Sequence, residues 1–363
     1  MGAEITSASK PRSASPFDDA LNWLYRKNAE VSAHATTTTA HLPDSPLPVT
    51  IEQTATRTIS KIQPKDKVGT GRALTRAESA LIVAGGKIAA TMPEGQDMAF
   101  THAVLCQVGL PRAKVEGREF MRKSGAAWVN VQAGLLDEGK GPVVQPVPYG
   151  PMPRLALAWI STYALRTGEQ EIHIGNSAAE FLRLMGMGDD GKRYATLRKQ
   201  MHALAACRLQ LGFKGRTYNG QPVEQFDAWQ SNKDTAQRSL WPGVMRLSES
   251  YFGSLIESAV PLDNRALMAL KGSALALDVY AWLAHRLHRI EGKGIILHWH
   301  SLREQFAQEY TGKDADKDFK KKFLPALRKV LATYPQAKVQ QVRGGVLLNC
   351  SPPPIPLKGG PTK

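Results

Sequence analysis

Hydrophobic positions recur at helical spacing from Leu155 onward, where Leu157, Ile160, Ala164 and Leu165 share one face and Gly168 supplies a stop. The pattern predicts a helix over 155–166. Glu171 to Ile174 then alternates as a short strand, and Asn176 or Ser177 caps a helix carrying Phe181, Leu182 and Met185 up to Gly186. In the next helix Tyr194, Leu197, Met201 and Leu204 fall on one side, which leaves Lys192, Arg193, Arg198, Lys199 and His202 at or beside the other. Arg208 to Lys214 alternates as a strand, Gly215 to Gly220 reads as a turn, and Val223 to Phe226 returns.

The same order comes again downstream. Asn264 to Ile290 reads as one long helix with Leu267, Leu270, Leu275, Val279, Leu283 and Leu287 on its apolar side. Asp278 within it reads as an exposed or capping carboxylate. Ile295 to Trp299 is a strand, and Ser301 with Glu304 three residues on forms a capping box for a helix. A further helix starts near Ala315, with Phe319, Phe323, Leu327 and Val330 as its core stripe and Pro325 expected to kink it or end its first half. Val339 to Val342, a Gly344-Gly345 turn and Val346 to Leu348 close the unit as a hairpin. Helix, strand, helix, helix and hairpin in that order is the winged-helix arrangement, in which the last helix enters the major groove and the hairpin reaches the flanking backbone.

The expected fold class is therefore α+β, with two tandem winged-helix domains at 73–235 and 236–350. A largely disordered arm at 1–72, with its Thr36 to Thr39 tract, precedes them, and a Pro-rich tail at 351–363 follows. Phe17 to Tyr25, with Trp23, is an amphipathic patch in the arm and a candidate docking motif.

Charge sharpens this picture. The chain of 363 residues carries 47 Lys plus Arg against 32 Asp plus Glu, a formal net charge of +15. A surplus of that size points to a polyanionic partner. Gly191 to Tyr218 contributes +7 with no acid, through Lys192, Arg193, Arg198, Lys199, Arg208, Lys214 and Arg216. Lys313 to Arg343 contributes +6, from nine cations including Lys317, Lys320, Lys321, Lys322, Arg328, Lys329 and Arg343 against three carboxylates. The arm adds +2, so everything else is neutral. Apolar residues turn each basic helix inward, so its cations face out to neutralise phosphates, while one or two side chains near the helix start can read base edges. Lys317 to Phe323 is the expected groove-facing part.

Three cysteines, Cys106, Cys207 and Cys350, form neither a disulfide framework nor clustered metal ligands, which fits a reducing cytoplasm. Ser273 to Leu287 is the most apolar stretch and too short and interrupted to span a membrane, and the N-terminus carries no secretory signal, so no membrane partner is expected. Gly134 to Lys140 matches the first part of a phosphate-binding loop, but Gly141 stands where Ser or Thr would hold magnesium, and a hairpin turn is expected instead. His298-Trp299-His300 fits the His-hydrophobic-His pattern of metal-dependent rolling-circle nickases, with Tyr310 as the nearest nucleophile. A strand with Trp299 facing in and both histidines out explains it without metal. No enzyme, cofactor or metal is expected.

The sequence resembles the RepA-type replication initiators of bacterial plasmids. The likeness is carried by Leu110-Pro111-Arg112, Pro148-Tyr149-Gly150 with Pro153-Arg154, Phe181 to Gly186, and Leu262-Asp263 through Leu270-Lys271 to Leu275–Asp278. Trp299, Leu302, Gln305-Phe306, Phe319 to Phe323, Tyr334-Pro335 and Ser351-Pro352-Pro353 extend it, for a span of about Ala103 to Pro356. The resemblance implies two winged helices that bind direct repeats (iterons) in double-stranded origin DNA, promote opening of the adjacent AT-rich duplex, and recruit the host initiator DnaA and the helicase DnaB. Plasmid copy control belongs to the same implication. The C-terminal copy would carry most base recognition, through Lys317, Lys320, Lys321 and Lys322. The N-terminal copy would bind an adjoining part of the repeat or form a homodimer, and its acid-free basic block favours contact with DNA. A winged-helix transcriptional repressor is the alternative within DNA binding.

Overall fold

The structure is a computed structural model that describes residues 75–188, 191–226 and 243–356. The expected arm with its Phe17 to Tyr25 patch, the side chain of Lys192 and the end of the Pro-rich tail lie outside the described residues. In chain order the helices and strands are α1 (Arg76–Ala90), β1 (Met98–His102), α2 (Ala103–Gln107), β2 (Glu119–Ser124), β3 (Ala127–Gln132), β4 (Leu135–Asp137) and β5 (Pro142–Val144). Then come α3 (Pro151–Thr167), β6 (Glu171–His173), α4 (Ala178–Leu184), α5 (Gly191–Ala206), β7 (Arg208–Phe213), β8 (Arg216–Gly220), β9 (Val223–Phe226) and β10 (Val244–Leu247). The rest is α6 (Glu249–Ser258), β11 (Ala259–Asp263), α7 (Asn264–Leu270), α8 (Ala274–Arg286), β12 (Ile295–His298), α9 (Trp299–Phe306), α10 (Ala315–Thr333), β13 (Val339–Val342) and β14 (Gly345–Leu348). Helix and sheet are mixed, as the α+β expectation requires.

Local chemistry accounts for most helix ends. Pro151 and Pro153 begin α3 where backbone donors have no helical partner anyway, and Gly168 ends it in the left-handed region with φ 76°. Ser177 accepts a hydrogen bond from the Glu180 amide at 3.2 Å, which fixes the start of α4.

The expected single helix over 264–290 is instead two. Asp263 caps α7 through the Arg265 amide, and Ser273 accepts from the Ala276 amide at 3.2 Å to start α8 afresh after Lys271-Gly272. Two caps and a glycine outweigh the continuous apolar stripe. Ser301 is likewise no cap: β12 stops at His298 and α9 already begins at Trp299, so Ser301 lies inside it. Pro325 does not end its helix either. It sits exposed within the continuous α10, where water can serve the carbonyl that its missing N–H leaves open. Gly215 to Gly220 is largely the strand β8; the turn is Lys214-Gly215, with Lys214 at φ 46°. Gly134 to Gly141 lies in the β4–β5 hairpin, with Leu135 opposite Val144.

The β-structure consists of three- and four-stranded sheets and two-stranded pairings. β12-β14-β13 and β6-β10-β9 share one plan, in which the first strand pairs with the last of the unit. The strand completing the earlier sheet, β10, lies beyond residue 236, after β7 and β8, which join β2 and β3 in a separate four-stranded sheet of order β2-β3-β7-β8. β1 pairs antiparallel with β11, so chain from both halves meets there. α8 is buried at every residue from Ala274 to His285, which explains its Leu- and Ala-rich sequence: it is apolar all round because it is surrounded. One hydrophobic cluster runs from Ile88 through Ile160, Leu197, Trp282 and Phe323 to Leu348. Among the described residues no helix is long and apolar enough to cross a membrane.

Candidate nucleic-acid interface

α10 buries Phe319, Phe323, Ala326, Leu327 and Val330. Phe319 and Phe323 meet each other at 5.2 Å between ring centres, and Trp299 stands edge-on to Phe323 at 6.1 Å. Aromatic packing of this kind fixes the rotation of the helix about its axis. At 100° per residue the opposite face then carries Lys317, Lys321, Lys322, Arg328 and Lys329, all exposed. Lys320 lies nearer the core edge, with its ammonium 5.0 Å from the centre of the Trp299 ring. Lys317 is 3.8 Å from Asp314 and Lys321 is 3.0 Å from Asp318. Both pairs are exposed, so each is worth only a few tenths of a kcal/mol and yields readily to a stronger anion. Beside the helix, Val342 pairs with Gly345 across an Arg343-Gly344 turn, which leaves Arg343 exposed at the tip of the β13–β14 hairpin.

The N-terminal basic block is arranged differently. Leu197, Met201 and Leu204 are buried as their spacing predicts, but every residue from Gln200 to Cys207 is buried too. Only the first half of α5 can face a partner. His202, expected beside the open face, is 2% exposed and places Nδ1 3.2 Å from Glu138 Oε1. Arg198 is half-buried and paired to the same carboxylate at 3.1 Å. Burial pulls Glu138 upward, yet His202, Gln145 and Arg198 outweigh it and hold the carboxyl below its ordinary value. Arg193 donates to the Gly188 carbonyl at 3.1 Å, and Lys199 is exposed. Lys214 and Arg216 are exposed at the β7–β8 turn, Arg216 within 2.6 Å of Glu257. The block is free of acids along the chain and not in space: Glu138 from the β4–β5 hairpin and Glu257 from α6 come to it.

The reading of Asp278 as exposed or capping is overturned. Asp278 is 5% exposed and takes Arg154 in a fork, Nε to Oδ1 at 2.6 Å and Nη2 to Oδ2 at 2.8 Å. The remaining Arg154 donors reach the carbonyls of Leu110, Pro111 and Gly150, so the whole guanidinium is satisfied. Segments quoted for the family resemblance, at 110–112, 148–154 and 275–278, thus meet at one buried ion pair. A second link joins the halves nearby, where Glu309 receives Arg112 and Arg122. Burial would raise Glu309, but the two arginines hold it below the usual carboxylate range.

His298 and His300 are both exposed and Trp299 is half-buried, as expected, although Trp299 is helical. His300 lies 3.2 Å from Glu304, and Tyr310 packs its ring edge-on to Phe319. Among the described residues no group of three or more His, Cys, Asp or Glu is placed to hold a metal ion.

Two crystal structures of domains 2 and 3 of RctB are similar in path. One is 11% identical with a TM-score of 0.43 over 69% of this chain and 96% of that chain; the other is 13% identical with a TM-score of 0.41 over 68% and 97%. Similarity at this level fixes neither fold nor role. No curated protein matches the chain. Residues 147–300 match the family described as plasmid encoded RepA protein, a narrower span than the sequence likeness suggested. The matched segment contains Arg154, Asp278 and the whole of α5, and stops before α10. Over residues 147–300, therefore, the chain is similar to the family of plasmid encoded RepA proteins.

Proposed function

We propose that the protein is a non-enzymatic, sequence-specific initiator of plasmid replication. It binds direct repeats in double-stranded origin DNA through two winged-helix units and promotes opening of the adjoining duplex. The observation that carries this reading is the outward stripe of α10, where Lys317, Lys321, Lys322, Arg328 and Lys329 lie opposite a buried aromatic face and next to the Arg343 hairpin. A helix held in that rotation presents phosphate-binding cations and leaves its first turns for base edges. The earlier unit supplies a second foothold through Arg193, Lys199, Lys214 and Arg216, with Arg198 at its edge. Recruitment of DnaA and DnaB, homodimerisation and copy control follow from the family reading.

Origin-fragment binding should fall by ~10³ or more between 50 and 200 mM salt, the signature of six or more phosphate contacts. A flat salt response would remove the electrostatic basis of the proposal. Footprinting over tandem repeats, with permanganate-reactive thymines alongside, separates an initiator from a repressor, which would protect one operator and open nothing. A covalent 5′ adduct on supercoiled origin DNA with Mg²⁺ would instead make the protein a nickase.

A further inference from the structure

The four-stranded sheet β2-β3-β7-β8 has two unlike faces. Val129, Val131, Leu209 and Leu211 point to the core, and the alternate positions point away from it. Across the outer side Lys123, Trp128, Gly212 and Thr217 form a row, each directly opposite the next, and Met121 stands opposite Asn130 in the row beside it. Met121 is 62% exposed. A Cβ added to Gly212 would lie 2.0 Å from the Trp128 ring, so the missing side chain is what lets the indole lie across the neighbouring strand. Next to the Trp128 row stand four amides. Asn130 donates to Gln210 at 3.0 Å, Gln210 donates to Asn219 at 3.2 Å, and Gln132 donates to Glu119 at 3.2 Å.

We propose that this sheet face binds single-stranded nucleic acid, with a base stacked on Trp128. An indole laid across a sheet is a platform for any base; Asn130 is buried and committed to Glu119 and Gln210, so the exposed Asn219 and the half-buried Gln132 and Gln210 are the amides that can turn to base edges. A duplex hides its base faces in the stack and cannot use such a platform. Charge agrees with the choice: Lys123 and Arg208 are exposed on the face and Lys214 and Arg216 at its β7–β8 corner, against Glu119 on the face and Glu257 beside Arg216. The site is separate from α10 and goes beyond duplex recognition.

The test uses the full chain and fluorescence anisotropy with labelled oligothymidylate and oligouridylate of about 16 nucleotides, beside an origin duplex. Trp128→Ala should weaken single-strand binding about tenfold or more while duplex binding holds, and Trp128→Phe should keep most of it. Gly212→Ala, which displaces the indole, should act like Trp128→Ala. Lys123→Ala with Arg208→Ala changes only exposed positions and should lower both single-strand affinity and its salt slope. The proposal is overturned if the wild-type chain binds neither oligonucleotide, or if Trp128→Ala or the exposed pair leaves single-strand affinity unchanged. Preference between the two oligonucleotides tells opened DNA from RNA. Loss of duplex binding in the wild-type chain would count against the initiator reading alone.

Discussion

The two basic helices, α5 and α10, are preceded by the same elements and followed by the same three-stranded plan, yet they offer their charge differently. α10 keeps its neutralising acids on its own exposed turn, three residues from Lys317 and Lys321, where they compete weakly. α5 has no acid of its own and is restrained from outside, by Glu138 on Arg198 and His202, while its second half is enclosed. A further difference follows the helix. In the later unit the β13–β14 hairpin comes directly after α10; in the earlier one β7 and β8 intervene and leave for another sheet before β9 and β10 complete the plan. Charge counted along a chain is therefore a poor guide to charge available at a surface.

The joint between the units offers the largest effect. Asp278→Ala strands Arg154 in a buried site and should cost about 3–5 kcal/mol in urea denaturation. Replacing Arg154 and Asp278 together by apolar residues of similar volume should recover most of that loss, and failure to do so would mean that the carbonyls around Arg154 depend on it as much as Asp278 does.

Acid should destabilise the fold through its histidines. His102 lies fully buried on β1, its Nε2 2.9 Å from Ser258 of α6, and burial lowers its pKa from 6.5 to about 4. His288, after α8, is also brought down to about 4 by burial. Because the folded pKa is below the unfolded one, the unfolded chain takes up these protons first. The contribution of His102 is complete above pH 6.5 and is lost as pH falls toward 4, with an upper bound of about 3 kcal/mol, and that of the solvent-exposed His288 is smaller because water screens it. Denaturation midpoints that stay level from pH 7 to pH 5 would contradict this.

The contrast between the helices is tested by binding. Replacing Lys322, Arg328 and Lys329 by Ala should cut duplex affinity by more than tenfold in low salt and reduce the salt slope by about 0.9 per lost phosphate contact. The same treatment of Arg193, Arg198 and Lys199 should do less. Equal losses would erase the difference drawn between them. The smallest change is Glu138→Gln, which releases Arg198 and should raise duplex affinity a few-fold at low ionic strength, with no effect once salt screens the pair.

Much of this was legible beforehand because it is local. The helix-strand-helix-helix order, the inward stripe of Phe319, Phe323, Leu327 and Val330, and the outward cations of α10 follow from periodicity within a few turns. The helix break at Gly272-Ser273 was also local, yet a long apolar stripe concealed it, because hydrophobic spacing continues on both sides of the Ser273 cap. Asp278 was misread for a different reason: a carboxylate in an apolar run gives no sign of an arginine that arrives from α3.

What the sequence determined by itself is the set of amphipathic elements, their order, and the two concentrations of positive charge. The tertiary structure alone decided which charges remain available and which strands belong together: Glu138 against Arg198, Arg154 against Asp278, β10 beside β6, and Trp128 across Gly212. The physical reason is range. A helix face is set by neighbours three and four residues away, whereas an ion pair or a sheet register is set by whichever distant segment the fold brings within a few ångströms.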